Sequence, residues 1–194
     1  MVSFFVQHKA SADTLSPWWM RRGIGFRIST ACLLAATFTV ISGVIVVKAS
    51  GPWHLTVLLL CAPSFIAIAW IDLHSRRIPD LLLGPAYLIA LVGLVLNADT
   101  DTAMRSVVAF LIATIFFSIG TLAGHVGFGD VKLSGLLALL LAWDSYATTR
   151  NAALIAIGLA GLYASWLIAT RRHQDRFAFG PALLIGSLAA LAIS

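Results

Sequence analysis

Glutamate is absent from this chain of 194 residues, and all eight of its acidic residues are aspartate. That absence removes every chemistry that requires a glutamate side chain, the zinc-protease H-E-x-x-H arrangement among them. Charge of either sign is scarce, at 11% of residues against 60% hydrophobic, and mean hydropathy is +0.95. A water-soluble domain of this size rarely reaches such values, so the composition reads as a polytopic membrane protein. Cys32 and Cys61 stand in separate apolar stretches, which leaves neither a C-x-x-C metal signature nor a disulfide framework. His54, His74, His125 and His173 show no metal-ligand spacing, and no serine sits in a G-x-S-x-G setting. Neither a metal nor a cofactor is expected. The formal charge of +5 is dispersed over short loops and reads as orientation bias in a bilayer, not as affinity for nucleic acid.

What the chain does have is long apolar runs. Uncharged stretches extend over Ile28 to Val47, Leu55 to Ile71, Leu81 to Leu96, Ser106 to Ala123, Leu133 to Trp143, Ala152 to Thr170 and Phe177 to Ile193. Seven helices in an all-α transmembrane bundle are therefore expected. The fifth run has only 11 residues and crosses a hydrocarbon core only by recruiting its flank, the Gly127-Phe128-Gly129-Asp130-Val131-Lys132 stretch. Alternating the loops puts ten basic residues on one side (Lys9, Arg21, Arg22, Arg27, Arg76, Arg77, Lys132, Arg171, Arg172, Arg176) and three on the other (Lys48, Arg105, Arg150). The positive-inside rule then makes the N-terminus cytoplasmic. Residues 1–27 mix Phe4, Phe5, Trp18 and Trp19 with Lys9, Arg21, Arg22 and Arg27, a composition suited to a cytoplasmic interfacial segment ahead of a first helix retained as an anchor.

Two aspartates stand at the ends of apolar runs, Asp72 before Leu73-His74-Ser75-Arg76-Arg77-Ile78-Pro79-Asp80 and Asp130 within Gly127-Phe128-Gly129-Asp130. A carboxylate at a membrane boundary is costly and asks for a functional reason. Both fall on the cytoplasmic side, although neither entered the count that set the orientation. Two facing carboxylates can split an amide with water, one taking a proton and the other holding or protonating the carbonyl oxygen. Asp72 ends its helix, where the macrodipole disfavours negative charge, and Asp130 starts one, where charge is favoured; this assigns the resting proton to Asp72 and the base to Asp130. Gly127 and Gly129 admit close backbone approach or unusual dihedrals, and Pro79 sets the turn after the first aspartate. Lys132 meets either Asp130 or lipid phosphates. Two other classes also use such features: a small proton- or ion-coupled transporter built on the same aspartates, and a non-catalytic envelope-assembly protein.

The sequence Gly127-Phe128-Gly129-Asp130-Val131-Lys132-Leu133 matches a G-x-G-D-x-K-L pattern, and Asp72 with Arg76-Arg77-Ile78-Pro79 stands close to D…R-x-I-P-N. With Phe179-Gly180-Pro181, similar to a late F-G-P segment, these motifs make the chain resemble the type IV prepilin peptidases, membrane aspartyl proteases of the G-x-G-D type. The resemblance implies an aspartic endopeptidase of the cytoplasmic membrane, with Asp72 and Asp130 as the catalytic pair. Its implied substrate is a prepilin-like precursor whose basic leader is removed at the cytoplasmic face. Gly127, Gly129, Lys132, Pro79, Asp80, Gly180 and Pro181 are implied as supporting residues. It also implies a six-helix core over 55–194, with 28–54 an extra helix and loop. Asp80 stands where the family has asparagine, a third carboxylate able to perturb the pair. The longer bifunctional members carry a cysteine-bearing segment with no counterpart here, so the chain resembles the short peptidase-only form and N-methyltransferase activity is not expected. Oligomeric state is left open.

Overall fold

The computed structural model describes residues 28–122, 126–170 and 179–194. The interfacial segment expected over 1–27, His125 and the basic loop at 171–176 lie outside the described residues. Those described form seven α-helices and no strand: α1 (Ile28–Lys48), α2 (Pro52–Ser75), α3 (Asp80–Asn97), α4 (Thr100–Leu122), α5 (Phe128–Leu141), α6 (Tyr146–Ala169) and α7 (Phe179–Ile193). Of these, α2, α3 and α4 are long and apolar enough to cross a membrane, and residues 32–48 and α7 are shorter apolar helices. Large apolar side chains stand exposed on the outer faces, Leu88, Val95, Ile112, Ile119 and Leu162 each more than 60%. Water would oppose such a surface and lipid does not. The chain is a membrane protein.

The helices run past the ends of the uncharged stretches because a charge closes an apolar run without closing a helix. Arg105 lies inside α4 and Arg150 inside α6. What starts these helices is local polar capping. Asp99 accepts the backbone N–H of Thr102 and of Asp101 and the hydroxyl of Thr102 ahead of α4, and these bonds, the hydroxyl's foremost, hold its carboxyl below the usual range. Ser145 accepts the N–H of Thr148 ahead of α6.

At the centre is α5. Val131 and every residue from Leu133 to Trp143 are buried, as suits a helix that is hydrophobic all round. Its neighbours are α3, α4, α6 and α7. It does recruit the Gly-Phe-Gly-Asp flank, yet its 14 residues reach only about 21 Å, short of a hydrocarbon core of about 30 Å. A short helix works here because protein, not lipid, receives its far end. The guanidinium of Arg105 donates through Nε to the carbonyl of Ala142 and through Nη2, at 2.8 Å, to that of Trp143, satisfying the carbonyls that a helix C-terminus orphans.

Small residues bring the remaining helices together. On α7, Ala182, Gly186 and Ala190 are buried one turn apart, and a Cβ on Gly186 would stand 2.7 Å from the carbonyl of Ala152 and 3.0 Å from Cβ of Ala156 on α6. This small-xxx-small contact lets two backbones approach where no hydrophobic effect drives association. Gly135 similarly admits Phe110 of α4 into α5. By contrast α1 packs on α2 and α7 and buries Ile45 near its end while Leu33 and Val40 stay exposed. Between α1, α2, α5 and α7 lies an apolar groove of about 620 Å³ that reaches Leu73 and Pro181.

Candidate active site

Four chain segments meet at one end of the bundle: the C-terminal turn of α2, the loop at 77–79, the first turn of α5 and the first turn of α7. Asp72 sits in the last turn of α2 and is buried, 4% exposed. The helix stops one turn later at Arg76, whose N–H donates to the carbonyl of Asp72 at 2.8 Å and whose backbone lies in the left-handed region at φ 52. For a residue with a Cβ that conformation costs roughly 1 kcal/mol or more. Pro79, extended at φ −76 and ψ 127, then precedes α3, and its carbonyl accepts the N–H of Leu82 at 3.1 Å. Pro79, expected to set the turn after the first aspartate, is the extended residue that leads into α3, and the left-handed residue of the connection is Arg76.

Asp72 is oriented across the bundle. Its Oδ2 accepts the backbone N–H of Gly180, the second residue of α7, at 3.0 Å. A Cβ at position 180 would stand 2.8 Å from that oxygen, so glycine is required by the carboxylate itself. Asp130 lies in the first turn of α5 and reaches back to the N–H of Gly127 at 3.2 Å, one half of a capping box. Gly127 has an ordinary φ of −77. The motif's glycines therefore serve close approach and not unusual dihedrals: a Cβ on Gly129 would be 2.9 Å from Cβ of Ile78. Ile78 joins the two turns: a Cβ on Gly180 would meet its Cδ1 at 3.5 Å as well as the Asp72 carboxylate, so aspartates 58 positions apart in sequence are brought to one end of the bundle.

The two rim residues pair with each other. Lys132 Nζ lies 2.7 Å from Oδ1 of Asp80 and 5.1 Å from the centroid of the Phe128 ring. Lys132, expected to meet Asp130 or lipid phosphate, here has the carboxylate of Asp80 as its ion-pair partner. Asp80, expected to stand as a third carboxylate beside the pair, spends its charge on Lys132. The backbone of Lys132 is fixed as well, its carbonyl accepting the Tyr87 hydroxyl at 2.6 Å. Pro181 belongs to the groove wall. Sequence reasoning missed Ile78 as a contact, Tyr87 as a tie between α3 and α5, and Arg105 as the cap of α5. Only the last carried a signal, a lone arginine beside an apolar run too short to cross.

The arrangement offers two carboxylates of like charge, each accepting one backbone N–H. Such a pair can share one proton, and a shared proton supplies an acid and a base at once.

Comparison with known proteins agrees with this geometry. The model of the type IV leader peptidase family matches residues 58–193. Three relatives carry the name prepilin leader peptidase/N-methyltransferase. The Dickeya chrysanthemi protein is 34% identical over 149 residues, covering 70% of this chain and 50% of its own length. That of Burkholderia pseudomallei (strain 1026b) is 30% identical over 141 residues, 68% and 44% respectively, and that of Aeromonas salmonicida (strain A449) is 27% identical over 189 residues, 91% and 64%. The chain thus spans about half to two thirds of the length of these curated relatives. No solved structure matches it. A family match over more than half of the chain, joined to a relative 34% identical over 70% of it, settles the affiliation: the chain belongs to the type IV leader peptidase family.

Proposed function

We propose that the protein is an aspartic endopeptidase of the cytoplasmic membrane that removes the basic leader from prepilin-like precursors at the cytoplasmic face, with Asp72 and Asp130 as the catalytic pair. The observation that carries this reading is the convergence at one end of the bundle of the turns that bear Asp72 and Asp130, with Asp72 held by the N–H of Gly180 and Ile78 packed between Gly129 and Gly180. The bias of ten basic residues against three supports placing that end in the cytoplasm. Asp130, at a helix start, takes a proton from water; Asp72, at a helix end, gives its proton to the carbonyl oxygen. The tetrahedral intermediate then collapses as the amine leaves with a proton from the pair. A carboxylate infrared titration that puts the resting proton on Asp130 reverses the assignment. The groove reaching Leu73 and Pro181 offers an apolar path beside the pair for an apolar stretch of substrate. The functions of Gly127, Gly129, Gly180, Pro79, Asp80, Lys132 and Pro181 on this reading are to place the pair and its rim, and N-methyl transfer is no part of it.

The rival reading, ion transport on the same aspartates, requires carboxylates near the bilayer midplane on broken helices. Asp72 lies in the last turn of α2 and Asp130 in the first turn of α5. Co-expression of a candidate prepilin with the wild type, Asp72→Asn and Asp130→Asn decides between them. Leader removal by the wild type and by neither variant is expected; processing by both variants defeats the peptidase reading.

A further inference from the structure

The residue between the two aspartate motifs that touches both sides of the site is Ile78. A Cβ on Gly129 would meet its Cβ at 2.9 Å, its Cγ1 at 3.5 Å and its Cδ1 at 3.7 Å, and a Cβ on Gly180 would meet the same Cδ1 at 3.5 Å. One side chain therefore stands between the turn that carries Asp130 and the turn whose N–H holds Asp72. The contact with Gly129 is made at the stem, through an atom that no rotamer change can move. Ile78 is also β-branched, with a stiff χ1, and partly buried against the core.

The loop that carries it is fixed on one flank by a helix cap and on the other by an ion pair. On one flank the Arg76 N–H is bonded to the carbonyl of Asp72 at 2.8 Å. On the other, Asp80 is paired with Lys132 at 2.7 Å, and Lys132 lies two residues beyond Asp130. The Asp80–Lys132 pair and the Tyr87 hydroxyl on the Lys132 carbonyl tie α3 to α5, and the isoleucine limits how closely the two aspartate turns come. We propose that Ile78 is a positioning residue that sets the separation of Asp72 and Asp130, a spacer held between Gly129 and Gly180. This rests on the peptidase reading of the pair.

The test is a graded truncation in proteoliposomes containing the full chain and a prepilin-type precursor. Ile78→Val removes Cδ1, the atom that faces Gly180, and leaves the contacts of Cβ and Cγ1 with Gly129. Ile78→Ala removes everything beyond Cβ. Both variants are read for kcat, for KM and for thermal unfolding in detergent. A misplacement of reacting groups on the order of 1 Å costs up to about 100-fold in rate, so kcat should fall by a few-fold in Ile78→Val and by ~30- to 100-fold in Ile78→Ala. KM should stay near its wild-type value, because the interaction lost acts in the transition state and not in ground-state binding. A wild-type kcat in Ile78→Ala, or an effect confined to KM, overturns the proposal. So does a valine variant as slow as the alanine one, since the conservative change should retain most of the spacing. If Ile78→Ala does not fold, Ile78→Val decides alone, and an unchanged kcat overturns the proposal. Asp130→Asn, run in parallel, separates the two failures. Processing by that variant at the wild-type rate sinks the peptidase reading, whereas an inactive Asp130→Asn beside a fully active Ile78→Ala sinks only the spacer.

Discussion

The two ends of α5 are built to opposite purposes. Its C-terminal end presents carbonyls to the guanidinium of Arg105, so the negative pole of the helix meets a cation and the backbone acceptors are filled. Its N-terminal end presents Asp130, also of the sign that the helix favours, but at the end of the bundle that holds a second carboxylate, Asp72. Among the described residues the cation nearest in sequence, Lys132, is bonded to Asp80 instead. One end is thus capped by a cation, and the other gathers two carboxylates while its nearest lysine is bonded elsewhere. The difference separates what holds the bundle together from what it is for, since frustration retained at a site marks function more often than error.

The widest split between the two ends should come from the carboxylates. Asp72→Asn and Asp130→Asn are each expected to lower leader removal by at least about 10³-fold, while thermal unfolding in detergent stays level or rises because a titratable carboxyl that is costly to hold in an apolar setting becomes a neutral amide of the same shape. A large loss of stability in both variants would mean that the pair is structural and that the comparison fails. Gly180→Ala comes next. Its new methyl would lie 2.8 Å from Asp72 Oδ2, so the carboxylate must move, at a loss of about 100-fold in activity and roughly 1–3 kcal/mol of stability. Full activity in this variant would show that the bond from Gly180 to Asp72 does not matter for the chemistry.

The opposite end should answer in the opposite way. Arg105→Met keeps much of the apolar stem but strands the carbonyls of Ala142 and Trp143, with an expected cost of about 2–3 kcal/mol. Leader removal per folded molecule should be unchanged. A kcat effect larger than the fraction unfolded would show that the two ends communicate through α5.

How far this division could be read from the sequence follows from what each signal measures. Apolar runs report burial in lipid or protein, so all seven helices were legible, as was the shortness of the fifth. Their ends were not: Thr100 and Tyr146 begin helices upstream of Arg105 and Arg150, because capping by Asp99 and Ser145, not the loss of hydrophobicity, sets those starts. The aspartates were legible because charge in an apolar context has few structural uses. Their surroundings were less so. Gly180 is named by its motif, but its N–H meets a carboxylate 108 positions away, and no local pattern encodes a contact at that separation. Lys132 illustrates the same limit from the other side. Proximity in sequence points to Asp130, whereas the helical direction of its side chain and the turn at Pro79 bring Asp80 to it.

That last pairing gives the smallest expected effect. Asp80 and Lys132 side chains are 73% and 35% exposed, and an ion pair open to solvent contributes at most about 1 kcal/mol, less at high salt. Asp80→Asn should therefore change thermal stability little, with the difference from wild type shrinking as salt is raised. Its effect on activity should be selective. Losing the carboxylate frees the ammonium of Lys132 at the rim of the site, where a basic leader would then meet an uncompensated positive charge. Processing of a strongly basic leader should slow by a few-fold relative to a weakly basic one, about 1 kcal/mol in discrimination, and raising salt should narrow the gap. Total loss of cleavage in Asp80→Asn would place this residue within the chemistry itself. An equal effect on both leaders would mean that the rim pair acts only as a strut between α3 and α5.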